Sequence, residues 1–273
     1  MFDLLTLESA LAGTLFAGKL HYASSTGSTS DDAKTAAQSG APHGSVFFAD
    51  EQTAGRGRGD HAWHSNRGEG LYVSVLLRPS IPLPRLTLLP LVAGLAAAQA
   101  IQEAAGLFVD LRWPNDLLLG AQKTGGILVE SHTESGAVAW AVVGIGINVH
   151  QRIFAPWLAT PATSLDLASG RAVSRQQLLT ALLKSLEQEC SALADTETAL
   201  AIPKHAEQRS TWMGGRRVEV HGPQACSGVT DGLDDNGFLR VRTASGIVTV
   251  QTGGLRDDPP HSSQPFARSS QNT

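Results

Sequence analysis

Between Gln52 and Trp63 the chain reads Thr53-Ala54-Gly55-Arg56-Gly57-Arg58-Gly59, and no regular element accepts that pattern. In a helix each Gly would cost roughly 1 kcal/mol relative to Ala. In a core strand the arginines would have to be buried, which arginine almost never is unless paired. The segment is therefore a loop, and two structures are open to it. One is a solvated hairpin tip of ordinary turn composition. The other is a fold around an anion, with backbone N–H groups converging where glycine permits and two guanidiniums adding forked donors.

Composition narrows the setting of that loop. A chain of 273 residues suits one large domain plus a small one. With 42% hydrophobic and 17% charged residues it has the make-up of a soluble globular protein. A net charge of −4 gives no overall reason to bind DNA or an anionic membrane. Cys190 and Cys226 stand far apart, which supports neither a disulfide framework nor a cysteine zinc site. Asp3 and Glu8 lie where a signal peptide needs basic residues. The longest apolar run, Leu86 to Ile101, is interrupted by Thr87, Pro90 and Gln99 and is too short for a membrane span. A cytoplasmic enzyme or binding protein is expected. The Pro-, Ser-, Gln- and Asp-rich stretch from Asp257 onward is expected to be a disordered tail.

In chain order, residues 3 to 20 suit a short helix. They contain Gly13-Thr-Leu-Phe-Ala-Gly18-Lys19, but Leu20 replaces the magnesium-binding hydroxyl of a P-loop and no apolar strand precedes it. Gly27-Ser28-Thr29-Ser30-Asp31-Asp32 opens a helix, with a hydroxyl as N-cap and acids in the first turn. A cap needs one hydroxyl, and the spare ones suit a small polar ligand. Ser45–Asp50 and Leu71–Arg78 read as strands that deliver and receive the Gly-Arg loop. A helix is expected over about 84–105, then a strand over 108–113. Lys123 is either a surface hairpin lysine or one whose stem lies across the sheet, because two glycines open an apolar strand behind it. Gly144-Ile-Gly146 lacks the third glycine of a dinucleotide fingerprint and marks a close backbone approach, as by a flat ligand. Amphipathic helices are expected over 174–194, capped by Ser174, and over 196–209. From Gly215 short alternating strands suggest a small antiparallel barrel.

The polar outliers define no nucleophilic triad and no His-x-x-x-His metal pair. His61 and His64 flank the loop, but two loop histidines lack a third ligand. Cationic groups without a nucleophile suit the joining of a carboxylate to a phosphate. Both reactants are anions, so fixed positive charge in a site closed to water removes the main obstacle.

Gly27-Ser-Thr-Ser30, Gln52-Thr-Ala-Gly-Arg-Gly-Arg58 with Trp63 downstream, Trp113-Pro-Asn-Asp116, Lys123-Thr-Gly-Gly-Ile-Leu-Val-Glu130 and Gly144-Ile-Gly-Ile-Asn-Val149 occur in that order. Together they resemble the successive motifs of biotin protein ligases, closely over about residues 20–150. The resemblance implies an α+β fold, with a mixed-sheet catalytic domain of the class II synthetase and biotin ligase type and helices on the sheet. An SH3-like β-barrel would follow. The divisions expected are a short segment 1–20 with no helix-turn-helix, a biotin- and ATP-binding domain 21–210, the barrel 211–256 and the tail 257–273. That organisation looks like the monofunctional ligase, with no DNA partner and no membrane.

The activity implied is conversion of biotin and MgATP to biotinyl-5′-AMP, followed by transfer to one lysine of the biotin carboxyl carrier protein of acetyl-CoA carboxylase. By motif position, Ser28, Thr29, Ser30, Gln52, Gly55, Arg56, Gly57, Arg58, Lys123 and Gly126 would surround biotin. Arg58, His61, Trp63, Asn115, Asp116, Lys123 and Asn148 would serve ATP, Trp63 near the adenine. Lys123, Arg56, Arg58 and Asp116 would carry the catalysis, Asp116 as a base or as a group that orients the incoming amine. Magnesium would come with ATP and not on side chains, and the loop would stay mobile until the adenylate forms. The family builds dimers on sheet edges, which leaves a homodimer open here. Ser30 stands where many relatives carry Asn, and His61 where many carry Arg. A lipoate or octanoate ligase is the nearest rival, and an adaptor using the barrel the rival of another class.

Overall fold

The structure is a computed structural model that describes residues 2–59 and 61–258. Seven strands form the larger sheet: β1 (Leu20–Ala23), β2 (Ser45–Ala49), β3 (Gly70–Leu77), β4 (Asp110–Arg112), β5 (Asp116–Leu119), β6 (Gln122–Glu134) and β7 (Ala137–Asn148). Their spatial order is β1-β2-β3-β7-β6-β5-β4, with β1 parallel to β2 and the other pairs antiparallel. The sheet is mixed, as expected.

Its two faces differ because side chains alternate along a strand. Val73, Val75, Ile127, Val143, Ile145 and Ile147 belong to the main apolar core. The positions between them are small or polar: Ser74, Gly126, Gly144 and Gly146. Helix α3 (Leu89–Ala105) covers the apolar face, with α5 (Arg175–Ser191) and α6 (Thr196–Gln208) packed on it. On the other face, α2 (Thr29–Gln38) buries Ala33 and Ala37 in a smaller cluster with Leu76, Trp140 and Val142. That leaves the glycine-rich middle of this face for the site. Short helices α1 (Leu4–Ala10) and α4 (Leu165–Ser169) complete the larger unit.

Several elements depart from expectation for identifiable reasons. The helix expected from about residue 84 opens as a 3-10 turn, Leu83–Leu88, and becomes α-helical only at Leu89. Pro90 lacks the N–H for an α-helical bond and its ring clashes with the carbonyl four residues back. The whole stretch, Leu83–Ala105, is 23 residues and by length and composition alone long and apolar enough to cross a membrane. Burial of 67% of its most apolar window makes it the core helix of this fold. Ser174 caps α5 as expected, accepting from the Gln177 amide at 3.3 Å.

The C-terminal strands are β8 (Gly214–His221), β9 (Cys226–Leu233), β10 (Leu239–Thr243), β11 (Gly246–Val250) and β12 (Gly254–Asp257). They form an antiparallel sheet in the order β11-β10-β9-β8-β12. Among the described residues no pairing joins β11 to β12, so the antiparallel sheet is present and its edge strands are not hydrogen-bonded to each other. Its apolar residues, including Val218, Val220, Leu239 and Val250, run into the main core. Asp257, placed at the start of the tail by the sequence, pairs with Val218 in β12 and accepts from Arg216 Nε at 2.7 Å. Residues 259–273 of the expected tail lie outside the described residues.

Candidate active site

One cross-sheet row organises the site. Tyr72 pairs with Gly146, Gly146 with Gly126, Gly126 with Asp116 and Asp116 with Arg112. Directly opposed residues share a face, so two glycines form a floor with an acid–base pair at one end. Above this floor lies a cleft of about 880 Å³. The N-terminus of α2, the Gly-Arg loop, strands β3 to β7, the connection 151–162 and turns of the C-terminal sheet all contribute to its walls.

The Gly-Arg loop is a folded-back hairpin. The Trp63 amide donates to the Gly55 carbonyl at 2.9 Å and the Gly57 amide to His61 at 2.7 Å. Thr53 and Ala54 donate to Thr26 and Gly27. The expected convergence of loop amides on an anion is therefore not formed at Thr53, Ala54 and Gly57, which are spent on protein carbonyls. Glycine is needed for closeness instead. A Cβ on Gly55 would sit 2.4 Å from the Trp63 carbonyl oxygen, and one on Gly57 3.2 Å from that of His61. The flat group on the glycine floor is the chain's own Trp63. A Cβ on Gly146 would lie 2.6 Å from its indole and one on Gly126 3.5 Å from it. The Trp63 Nε1 is buried without a hydrogen-bond partner among the described residues.

At the end of the row, Asp116 is gripped by two cations. Lys123 Nζ stands 2.5 Å from Oδ1. Arg112 donates to Oδ2 through Nε at 3.1 Å and Nη2 at 2.6 Å. The Lys123 ammonium also lies 5.6 Å from the centre of the Trp63 ring, within cation–π range. Of the two readings of Lys123, the stem across the sheet is the one observed. Arg58 reaches the other way, donating to the Thr252 hydroxyl and the Gly253 carbonyl, and ties the loop to the C-terminal sheet.

The hydroxyl cluster is wired internally. Gln52 Oε1 accepts from the Thr29 amide at 2.9 Å and from its hydroxyl at 3.1 Å, while Gln52 Nε2 donates to Ser65 Oγ at 2.8 Å. Ser28 is the N-cap residue of α2, yet its side chain makes no capping bond. Gln52 supplies the cap from outside. Thr29 and Ser30 share Ser74 Oγ at 2.8 and 3.0 Å. Ser28 Oγ is left facing the cleft with no protein partner among the described residues.

A model of the biotin/lipoate A/B protein ligase family matches residues 22–148. The bifunctional ligase/repressor BirA of Bacillus subtilis is 36% identical over 84% of this chain and 70% of the relative. The biotin–[acetyl-CoA-carboxylase] ligase of Mycobacterium tuberculosis is 34% identical over 87% of this chain and 88% of its own length. This chain belongs to the biotin protein ligase family. The biotin protein ligase from Aquifex aeolicus in complex with biotin and ATP superposes with a TM-score of 0.75 at 28% identity, covering 88% of this chain and 98% of that one. The mixed-sheet α+β fold is thus that of biotin protein ligases.

Within this family member, the structure brings all the expected site residues except Gly55 to the wall of one cleft but does not leave all of them free. Ser28, Thr29, Ser30, Gln52, Arg56, Gly57, Arg58, His61, Trp63, Asn115, Asp116, Lys123, Gly126 and Asn148 line it. Gly55 is buried behind the hairpin. Asn115 Nδ2 donates to the Ile127 carbonyl at 2.8 Å and Asn148 Nδ2 to that of Thr163 at 3.1 Å, so both amides brace backbone. The His61 side chain is exposed at the hairpin end.

Five further contributors escaped the sequence. Ser74 is a lone hydroxyl in an apolar strand, on the same face as Tyr72 by alternation, and that is the signal that could have found it. Arg112 is 8% exposed, and a buried arginine implies a partner. Glu130 binds Arg56 across 74 residues of chain. Phe154 and Leu158 reach the cleft from the 151–162 connection, with no local signal that separates them from a surface loop.

Proposed function

We propose that this protein activates biotin with ATP, giving biotinyl-5′-AMP and pyrophosphate, and then transfers the biotinyl group to a lysine of a carboxylase carrier domain. The observation that supports it most is a charge contrast. The chain carries a net charge of −4. The described residues lining the cleft nevertheless include five cations, Arg56, Arg58, Arg112, Lys123 and Arg256, against one carboxylate, Asp116. A walled cationic cleft attracts anions and offsets their mutual repulsion, because fixed charges act strongly where water is excluded.

In the first step a carboxylate oxygen of biotin attacks the α-phosphorus of ATP and pyrophosphate leaves. Lys123, over the glycine floor, bridges the carboxylate and the α-phosphate, and Ser28 Oγ is the hydroxyl free to meet the ligand. Trp63 must lift from Gly126 and Gly146 if a flat ligand is to lie there. Magnesium supplies charge neutralisation of the phosphates. Both oxygens of Asp116 are spent on cations, a donor set that fits an ion arriving on ATP better than a resident one.

In the second step the amine of the acceptor lysine attacks the acyl carbon and AMP leaves. A free lysine at pH 7 is neutral about once in 2,500 molecules, a deficit of roughly 4.6 kcal/mol. The cationic cleft itself disfavours a further positive charge, which supports Asp116 as an orienting group. Asp116→Asn is expected to slow transfer from preformed adenylate about tenfold and to slow adenylate formation less. Quenched-flow assay of the separate half-reactions checks this, and equal losses would refute the role in transfer.

The deciding experiment is ATP–pyrophosphate exchange with biotin, lipoate and octanoate supplied separately. Exchange with biotin alone is expected. Exchange with lipoate or octanoate would correct the substrate, and none with any acid would leave a binding module. The division into 21–210 and an SH3-like 211–256, action without DNA or membrane, a cytoplasmic location and a homodimer through the outermost strand β1 belong to this proposal. The net charge supports the absence of DNA, and the place of β1 in the sheet order supports the dimer.

A further inference from the structure

The resemblance assigns Arg56 to biotin, but its guanidinium is engaged elsewhere. It donates to Glu130 through both terminal nitrogens, Nη1 at 3.2 Å and Nη2 at 2.6 Å. Nη2 also stands 2.9 Å from Asp31 Oδ1. Lys34 closes the figure, with Nζ 2.9 Å from Asp31 Oδ1 and 2.9 Å from Glu130 Oε1. The four charges alternate around a ring, Arg56–Glu130–Lys34–Asp31, so each side chain meets two of opposite sign and none of its own directly. Isolated exposed ion pairs hold little, but networks and bidentate Arg–carboxylate pairs hold more.

The ring joins three ligand-bearing elements. Arg56 belongs to the Gly-Arg loop. Asp31 and Lys34 belong to the first turns of α2, directly after Ser28, Thr29 and Ser30. Glu130 lies on β6, the strand that carries Lys123 and Gly126. Burial pushes the Glu130 carboxyl up, but the hydrogen bonds from Arg56 and Lys34 outweigh it and hold the group below its ordinary value of 4.5. With the folded value lowered, Glu130 stabilises the closed form above about that pH and loses its effect as pH falls through the lowered value. Glu130 is therefore ionised at neutral pH.

We propose that Glu130 is a positioning residue, which with Asp31 receives Arg56 and pins the Gly-Arg loop over the cleft before any ligand arrives, so that retention of biotin and of the adenylate depends on it. The proposal rests on the biotin-activating function of the cleft. Glu130 touches no reacting atom, and its effect is on the fraction of molecules whose loop is closed. Apparent affinity falls with that fraction, while the chemistry in the closed fraction is unchanged.

The test uses the full chain with Glu130→Gln, Glu130→Asp, Arg56→Ala and the double variant Arg56→Ala/Glu130→Gln. Trypsin cuts after Arg56 and Arg58 only if the loop opens. In ligand-free protein, cleavage there is expected to be about tenfold faster in Glu130→Gln than in the parent chain, with Tm nearly unchanged and Glu130→Asp between the two. In ATP–pyrophosphate exchange the KM for biotin should rise about tenfold while kcat falls less than about twofold. Preformed biotinyl-5′-AMP should escape faster in proportion. The double variant should open no more than Arg56→Ala alone, because the two residues act through one contact.

Equal, rapid cleavage of the parent and Glu130→Gln loops without ligand, which is what a loop mobile until adenylate formation would show, would overturn the proposal. So would equal falls in kcat and kcat/KM together with a lower Tm, which mark a merely structural residue. Proteolysis needs no activity. Failure of biotin-dependent exchange in the parent chain would therefore count against the function and not against the ring.

Discussion

Replacing Lys123 by Gln should lower biotin-dependent ATP–pyrophosphate exchange by about 10²–10³-fold, the loss found when one fixed donor to a developing charge is removed. The expectation follows from where the ammonium is held. Its Nζ is 2.5 Å from Asp116 and its stem crosses the glycine floor, where a Cβ on Gly126 would lie 3.4 Å from its Cε. The other cations of the expected site and Arg112 are turned elsewhere. Arg112 is turned onto Asp116, Arg56 onto Glu130, and Arg58 onto Thr252 and Gly253. Lys123 is thus the cation able to stand between the two anions at the floor.

The same substitution should barely alter folding. Asp116 keeps Arg112, so no carboxylate is stranded, and the backbone bonds that fix this end of β6 remain. They run from the Lys123 amide to the Pro161 carbonyl at 2.7 Å and from the Thr163 amide to the Lys123 carbonyl at 3.0 Å. Thermal unfolding beside the exchange assay separates the two effects. Full exchange at saturating substrates would remove Lys123 from the chemistry, and a collapse of Tm would make it structural.

What the sequence could reveal was governed by distance along the chain. Strands β2, β3, β6 and β7 were legible because alternation and apolar runs are local. Strand β5 was hidden, since Asp116 to Leu119 follows a Pro-Asn turn and only its pairing with Gly126 and Gly125 makes it a strand. The motif residues were recognisable, but their partners were not. Glu130 looks like any surface acid until the fold brings Arg56 to it. Gln52 looks like a ligand group, and only the fold shows that it also caps α2 through Thr29. The barrel stays an expectation for a related reason, because short alternating strands specify an antiparallel sheet and leave open whether its edges meet.

Arg112→Met should cost about 3 kcal/mol of stability, because it removes a charge-assisted fork onto Asp116 together with a second hydrogen bond and a stacking contact, while Lys123 remains on the carboxylate. Arg112 is buried and Asp116 mostly so, with side-chain exposures of 9% and 15%. For a chain of this size the loss corresponds to a Tm lower by roughly 6–12 °C. Methionine fills much of the volume but abandons three contacts at once. These are the fork onto Asp116, the 2.8 Å bond from Nη2 to Thr160 Oγ1, and the stacking over Trp212 at 5.1 Å. Activity should fall further than stability explains. With Arg112 gone, Lys123 becomes the sole protein partner of Asp116 at 2.5 Å and is drawn from the bridging position the first step needs. Thr160, in the connection beside the cleft, loses its tie as well. Arg112→Lys restores the charge without the planar fork and should recover only part of both losses. Exchange measured about 10 °C below the midpoint of each variant isolates the effect on chemistry from the effect on folding. An unchanged midpoint in Arg112→Met would mean that solvent reaches Asp116 well enough to replace its buried partner.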